Sequence, residues 1–231
     1  MATETVNALL VIADIGGYTR FMRLHRMSLA HAQANTDRLL HAVIDAAPRL
    51  KLVDLEGDAA FFWVPEPADA EVASTIAGLA ATMHRAFHDR QQKMDAVSIC
   101  RCDACEQIGL LRVKFVAHIG EVVRQTARRA TKVAGVDVIV VHRMLKNSVP
   151  ILEYLLMTEP VLERCDPEVQ GQTSPIAEEL EGIGTETLHY LDLEQTALEL
   201  TPPAPPTFGQ KLRYNAIMTA KALPTLLRIR R

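Results

Sequence analysis

No stretch of the chain approaches the roughly 18 consecutive apolar residues of a membrane span. The start, "MATETVN", lacks the basic and then apolar segments of a secretory leader. Both absences point to a cytoplasmic protein. Cysteine is scarce: Cys100, Cys102 and Cys105 crowd into "CRCDAC", and Cys165 stands alone. Without a secreted context they do not form a disulfide framework. No internal repeat is visible. Acid is missing from Thr201 to Arg231, where six basic residues fall: Lys211, Arg213, Lys221, Arg228, Arg230 and Arg231. The rest of the chain is therefore −9, against −3 overall. An acidic body excludes a nucleic-acid partner there and leaves a basic tail that could meet an anionic surface.

What is present suits one domain with additions, or two small ones. An apolar run, Ala8 to Ile12, bounded by glycines, predicts a buried strand over 6–13. "GGYTRFMRL" opens a helix. Leu29, Ala32, Leu39, Leu40, Val43 and Ile44 recur at helical spacing, so a long amphipathic helix covers 29–47. "RLKLVDLEGDAAFFWV" reads as two strands folded at Glu56-Gly57-Asp58. Residues 70–94 read as a second long helix. "LRVKFVAHIGEVVRQTA" reads as two more strands turning at Ile119-Gly120-Glu121. "GVDVIVVHRMLKN" is strand by propensity and helix by its second half. "EYLLMT" and "LHYLDL" are later strands. This order predicts an α+β fold, a mostly antiparallel sheet with helices on one face.

Two acids stand out. Asp14 follows the first strand and precedes paired glycines, in "ADIGGYT"; Asp58 sits on the first hairpin, in "LEGDAAFFW". A helix cap and a hairpin turn would account for them separately. Four motifs in order suggest more. "DIGGYT" resembles the D-I-x-G-[FY]-T element of class III nucleotidyl cyclase domains. "EGDAAFF" resembles their second metal motif, "AHIGEVV" their H-x-G-E-V element, and "GVDVIVVHRML" their helix G-x-x-V-N-x-A-x-R-L. The resemblance covers about Val6 to Asn147 and looks like a divergent bacterial branch known only as a domain of unknown function.

The resemblance implies a ferredoxin-like cyclase fold over 1–200, a proline-rich linker at 201–207 and a basic amphipathic segment at 208–231. It implies two magnesium or manganese ions that neutralise a nucleoside triphosphate and activate its 3′ hydroxyl. Asp14 and Asp58 are then the metal carboxylates, with the carbonyl of Ile15 as a further ligand. Gly16 and Gly17 would bring their amides to phosphate. Arg143 matches the arginine that stabilises charge on the phosphates. It also implies a head-to-tail homodimer with shared sites.

The sequence departs from that pattern in places that matter. Ile139 stands where the family has the ribose-orienting asparagine, and isoleucine cannot hydrogen-bond. Asn147, four residues after Arg143, could replace it or simply end the helix. The base-reading lysine and aspartate fall on Asp54 and Lys132, with charges exchanged. Either the base differs or none is read. Arg124, Arg128, Arg129 and Lys132 make a basic run that would attract a triphosphate, or a solvated face. The expectation is metal and nucleotide binding with little or no conventional cyclase activity. Its rivals are an active cyclase with altered base recognition and a non-catalytic dimerisation or regulatory module.

Two features lie outside the cyclase pattern. Cys100, Cys102 and Cys105 have the spacing for a structural zinc, with Cys165, His84 or His88 as the fourth ligand; free thiols are the alternative. The tail carries apolar residues among its cations. Packing on protein accounts for both better than an anionic membrane does. Pro224 should kink or end its helix.

Overall fold

The structure, a computed structural model, describes residues 3–24, 29–100, 102–127, 130–196 and 206–228. β1 (Thr3–Gly16) lies near the centre of the sheet. Its side chains alternate between faces. Leu9, Val11, Ala13 and Ile15 enter one apolar core; Leu10 and Ile12 enter the other. A strand covered on both faces must be apolar throughout, which is why this run reads without alternation.

The first connection runs through α1 (Tyr18–Leu24) and α2 (Leu29–Asp45) to the hairpin β2 (Lys51–Glu56) and β3 (Ala59–Pro65). The expected helix over 70–94 is divided at Thr75 into α3 (Asp69–Ser74) and α4 (Ile76–Val97). The short α5 (Asp103–Glu106) interrupts the path to β4 (Arg112–Ala127) and β5 (Ala130–Ala134). Then come α6 (Val136–Arg143), β6 (Tyr154–Thr158), α7 (Glu159–Leu162) and α8 (Pro167–Gln172). Strands β7 (Ser174–Leu180) and β8 (Gly184–Asp192) precede α9 (Leu193–Thr196) and α10 (Phe208–Arg228).

The sheet order is β2-β3-β1-β4-β6-β8-β7, with β5 hydrogen-bonded to β4 off that path. Only β4 and β6 pair in parallel among these neighbours. Helices α2 and α4 cover one face through Leu39, Val43, Met83 and Phe87. On the other, Val140, Val141 and Met144 of α6 join Phe61, Trp63 and Leu156. That packing decides the ambiguous segment: β-branched residues form a helix because three of its apolar side chains have a core to enter.

One local expectation is overturned, as is one of the two alternatives of another. No turn occurs at Ile119-Gly120-Glu121. β4 runs straight through it, and Gly120 pairs with Ala8 of β1. The glycine is required because a Cβ there would lie 2.1 Å from Cγ of Asp137. That carboxylate accepts from Glu121 N–H at 2.8 Å and sits 2.8 Å from His118 Nε2, so the bare backbone lets α6 dock on β4. Pro224 also fails to end its helix, since α10 continues to Arg228. A basic residue pair, Arg128 and Arg129, lies outside the described residues, as does most of the proline-rich linker.

Candidate functional site

Asp14 and Asp58 meet at one end of the sheet. β1 and β3 pair antiparallel there, Asp14 opposite Ala59, and Ile15 N–H donates to the Asp58 carbonyl at 3.1 Å. The turn of the first hairpin thus delivers Asp58 to the end of β1. Burial first, then the Asp14 charge, pushes the Asp58 carboxyl up to about 6, with the Lys114 ammonium pulling weakly the other way. Lys114 Nζ lies 3.4 Å from Asp14 Oδ2 and donates to Leu145 carbonyl at 3.0 Å. Two acids share one lysine, and the second acid is held against its preference for solvent.

Gly17 follows with φ +85°, a left-handed conformation that glycine adopts freely. Gly16 and Gly17 form part of the wall of a cavity of about 450 Å³, with Arg20, Phe21, Leu110 and Arg112. Bare backbone and two guanidinium groups form a setting suited to phosphate.

The remaining predicted residues lie on other elements. Arg143 ends α6 and pairs with Glu181. Ile139, on the same helix, is half exposed. The Asn147 amide is engaged. It donates to Met144 carbonyl at 2.7 Å and accepts from Val149 N–H at 3.2 Å and Tyr154 hydroxyl at 2.8 Å. It brackets the end of α6 and fastens it to β6. Asp54, exposed on β2, accepts from Leu55 N–H at 2.8 Å; Lys132 is exposed on β5. Arg124 is drawn to Glu4 at 2.8 Å.

Two further clusters have cation-binding donors. Cys100, Cys102 and Cys105 converge with His31 of α2, 69 residues before Cys100. Burial first, then the neighbouring thiols, pushes Cys105 up to about 12. Cys165 is elsewhere, its thiol directed at Ala73 and Val161 carbonyls, so it does not supply the fourth ligand. His84 and His88 do not either. One turn apart on α4, they face Glu153, with Nε2 atoms 3.4 and 2.8 Å from its oxygens. Burial would raise Glu153, but the nearby His84 and the hydrogen bonds with His88 and from Val113 N–H hold it down at about 2. The spacing of the two histidines on one helix face was visible in the sequence; Glu153, 65 residues beyond His88, was not.

A second cavity, about 460 Å³, lies between α4 and α10, away from the acids. Arg38, Arg90, Lys93 and Arg213 stand around its apolar floor.

The fold is that of class III adenylyl and guanylyl cyclase domains. The guanylyl cyclase Cya2 superposes with a TM-score of 0.65 at 15% identity, over 87% of this chain and 100% of that one. The adenylyl cyclase CyaB from P. aeruginosa gives 0.61 at 13% identity, over 83% and 97%. By sequence, the chain belongs to the family described as "Protein of unknown function (DUF2652)", which it matches over residues 36–154. It is 42% identical over 192 residues to "Uncharacterized protein Rv2561/Rv2562" of Mycobacterium tuberculosis (strain ATCC 25618 / H37Rv), covering 82% of this chain and 88% of that protein. No helix among the described residues is long and apolar enough to cross a membrane.

Proposed function

We propose that this protein binds a divalent cation, magnesium or manganese, between Asp14 and Asp58, takes a nucleoside triphosphate beside it, and cyclises it weakly or not at all. The observation that carries this is the acid pair: Asp58 is held up at about 6 by burial and by Asp14, and the strand that carries Asp14 runs on into the glycines that line a cavity with Arg20 and Arg112. A divalent ion would relieve that repulsion directly. The Ile15 carbonyl would add a neutral oxygen, and the Gly16 and Gly17 amides with Arg20 and Arg112 would meet the phosphates.

Weak turnover follows from the other half of the site. Ile139 offers no hydrogen bond to a ribose, and the Asn147 amide is already committed to the chain. Loss of one such polar contact costs on the order of 10²-fold in rate. Asp54 and Lys132 are exposed, so each is free to face a second copy in a homodimer. A structural zinc at the three clustered cysteines lies outside this chemistry.

A second reading has its own support. Lys114 already supplies Asp14 with a positive charge, as in a purely structural module. Calorimetry with manganese and each nucleoside triphosphate, with chromatography for cyclic product, separates the readings. Manganese-dependent binding without turnover, lost in Asp14→Ala and Asp58→Ala, is the expected result. Rapid turnover points to an active cyclase. Wild type that binds neither metal nor nucleotide, or variants that bind metal like wild type, would remove the site.

A further inference from the structure

Three thiolates leave a tetrahedral zinc one ligand short. His31, on the first turn of α2, points Nδ1 into the cluster. It lies 3.4 Å from Cys102 Sγ, 3.5 Å from Cys100 Sγ and 3.9 Å from Cys105 Sγ. One donor atom from each residue lies within 4.8 Å of all the others. A ring nitrogen carries one hydrogen or one lone pair, so it satisfies one sulfur, not three. A zinc ion does satisfy this geometry. With Zn–S of about 2.3 Å and Zn–N of about 2.0 Å, a tetrahedron has N···S edges of about 3.5 Å. The three observed edges bracket that value. His31 Nε2 is buried with no hydrogen-bond partner. With Nδ1 on the metal, the ring hydrogen sits on Nε2.

The cluster also carries a platform. Asn35 sits four residues after His31 on the same helix face. Its amide donates to Ala104 carbonyl at 3.3 Å and reaches Cys105 Sγ at 3.8 Å. Its Oδ1 accepts from the Tyr214 hydroxyl of α10 at 3.4 Å. The Arg38 guanidinium lies over the Tyr214 ring, 4.5 Å from its centre. Asn215, next in α10, accepts from Ile99 N–H at 3.1 Å and donates to Val97 carbonyl at 3.1 Å. Thus α10 grips the chain just before Cys100 and, through Asn35, the chain at Cys105.

We infer that His31 is the fourth ligand of a closed Cys3His zinc site, and that this site is a latch holding the C-terminal helix on the body. The inference rests on zinc at the three cysteines. Four protein ligands fill the tetrahedron and leave no position for substrate, so the ion is structural. It ties α2 to the connection between α4 and β4, and Asn35 passes that order on to Tyr214.

The test uses the full chain, purified without a histidine tag under reducing conditions. Elemental analysis should find about one zinc per chain in wild type and in Cys165→Ser. His31→Ala should lose affinity by more than the roughly 10- to 100-fold that loss of a supporting group costs. Its cobalt-loaded form should lose the visible spectrum of wild type. Hydrogen exchange over 208–217 should quicken when zinc is chelated from wild type, which needs no variant to fold. Wild type without zinc overturns both the zinc and the role of His31. A His31→Ala protein with parental zinc affinity and cobalt spectrum overturns the fourth ligand alone. Zinc release that leaves exchange over 208–217 unchanged overturns the latch.

Discussion

Replacing Glu153 with glutamine probes the best-buried charge of the fold. Its side chain is only 4% exposed, yet its carboxyl is held at about 2 rather than 4.5. Burial alone would push the other way, so the nearby His84 and the hydrogen bonds with His88 and from Val113 N–H overcome it. A group whose folded pKa lies below its unfolded one stabilises the fold fully above the unfolded value. That contribution drains away as pH falls toward the folded value. Here the window runs from about 4.5 down to about 2. Its width corresponds to about 3 kcal/mol, in the range expected for breaking a buried ion pair. Urea unfolding of wild type and Glu153→Gln at a series of pH values reads it. The variant should be less stable by about 3 kcal/mol at pH ~7, and the gap should close across that window. The difference between the two proteins is the readout, because other carboxylates titrate in both. A gap that is absent near neutrality, or constant down to pH ~2, would refute the reasoning.

Asp58 has the opposite sign. Its folded pKa is raised to about 6, so its charge costs stability above that pH, and the cost fades as pH falls toward 4. Asp58→Asn should therefore raise the melting temperature of the metal-free protein near neutrality, gain little at acid pH, and abolish stabilisation by manganese. Gly120→Ala should destabilise by about 2–4 kcal/mol by driving Asp137 from His118 and Glu121; combined with Asp137→Gly in a double-mutant cycle, it should cost little more than Asp137→Gly alone. Ile139→Asn with Asp54→Lys and Lys132→Asp should raise cyclic nucleotide formation if the metal half is competent; a folded, dimeric triple variant with no rise would place the defect elsewhere.

The parts of the fold legible in the sequence were those with a local cause. The run Ala8–Ile12 read as a buried strand, and Glu56-Gly57-Asp58 as a tight turn between strands. Gly120 carried an equally clear signal that pointed to the wrong structure. A glycine between alternating segments marks a turn or a close approach, and only Asp137, on another element, decides which. His31 was illegible for a similar reason. The cysteine spacing announced a soft metal, but the histidine that faces it lies 69 residues earlier than Cys100 on a helix whose pattern records only its apolar stripe. Glu153 joins His84 and His88 through the same kind of distant meeting. Local spacing discloses which chemistry a segment is equipped for; the partner comes from topology.

The two halves of the proposed nucleotide site differ in what the fold requires of them. Asp14 and Asp58 repel one another, and Asp58 is held where burial disfavours its charge. Neither carboxylate fills a core or closes a turn that asparagine could not close, and a single lysine, Lys114 beside Asp14, stands against the two acids. Ile139 presents the reverse case. It lies half exposed on α6, while Val140, Val141 and Met144 carry the packing of that region. An asparagine there would fold as well, so nothing in the packing demands isoleucine. An acid pair whose second member is held ionised only at a cost is physically consistent with cation binding. An apolar side chain at the ribose position is consistent with binding uncoupled from rapid cyclisation. Because the acids sit on β1 and the first hairpin, and Ile139 sits on α6, the second half of the site can be lost without disturbing the first.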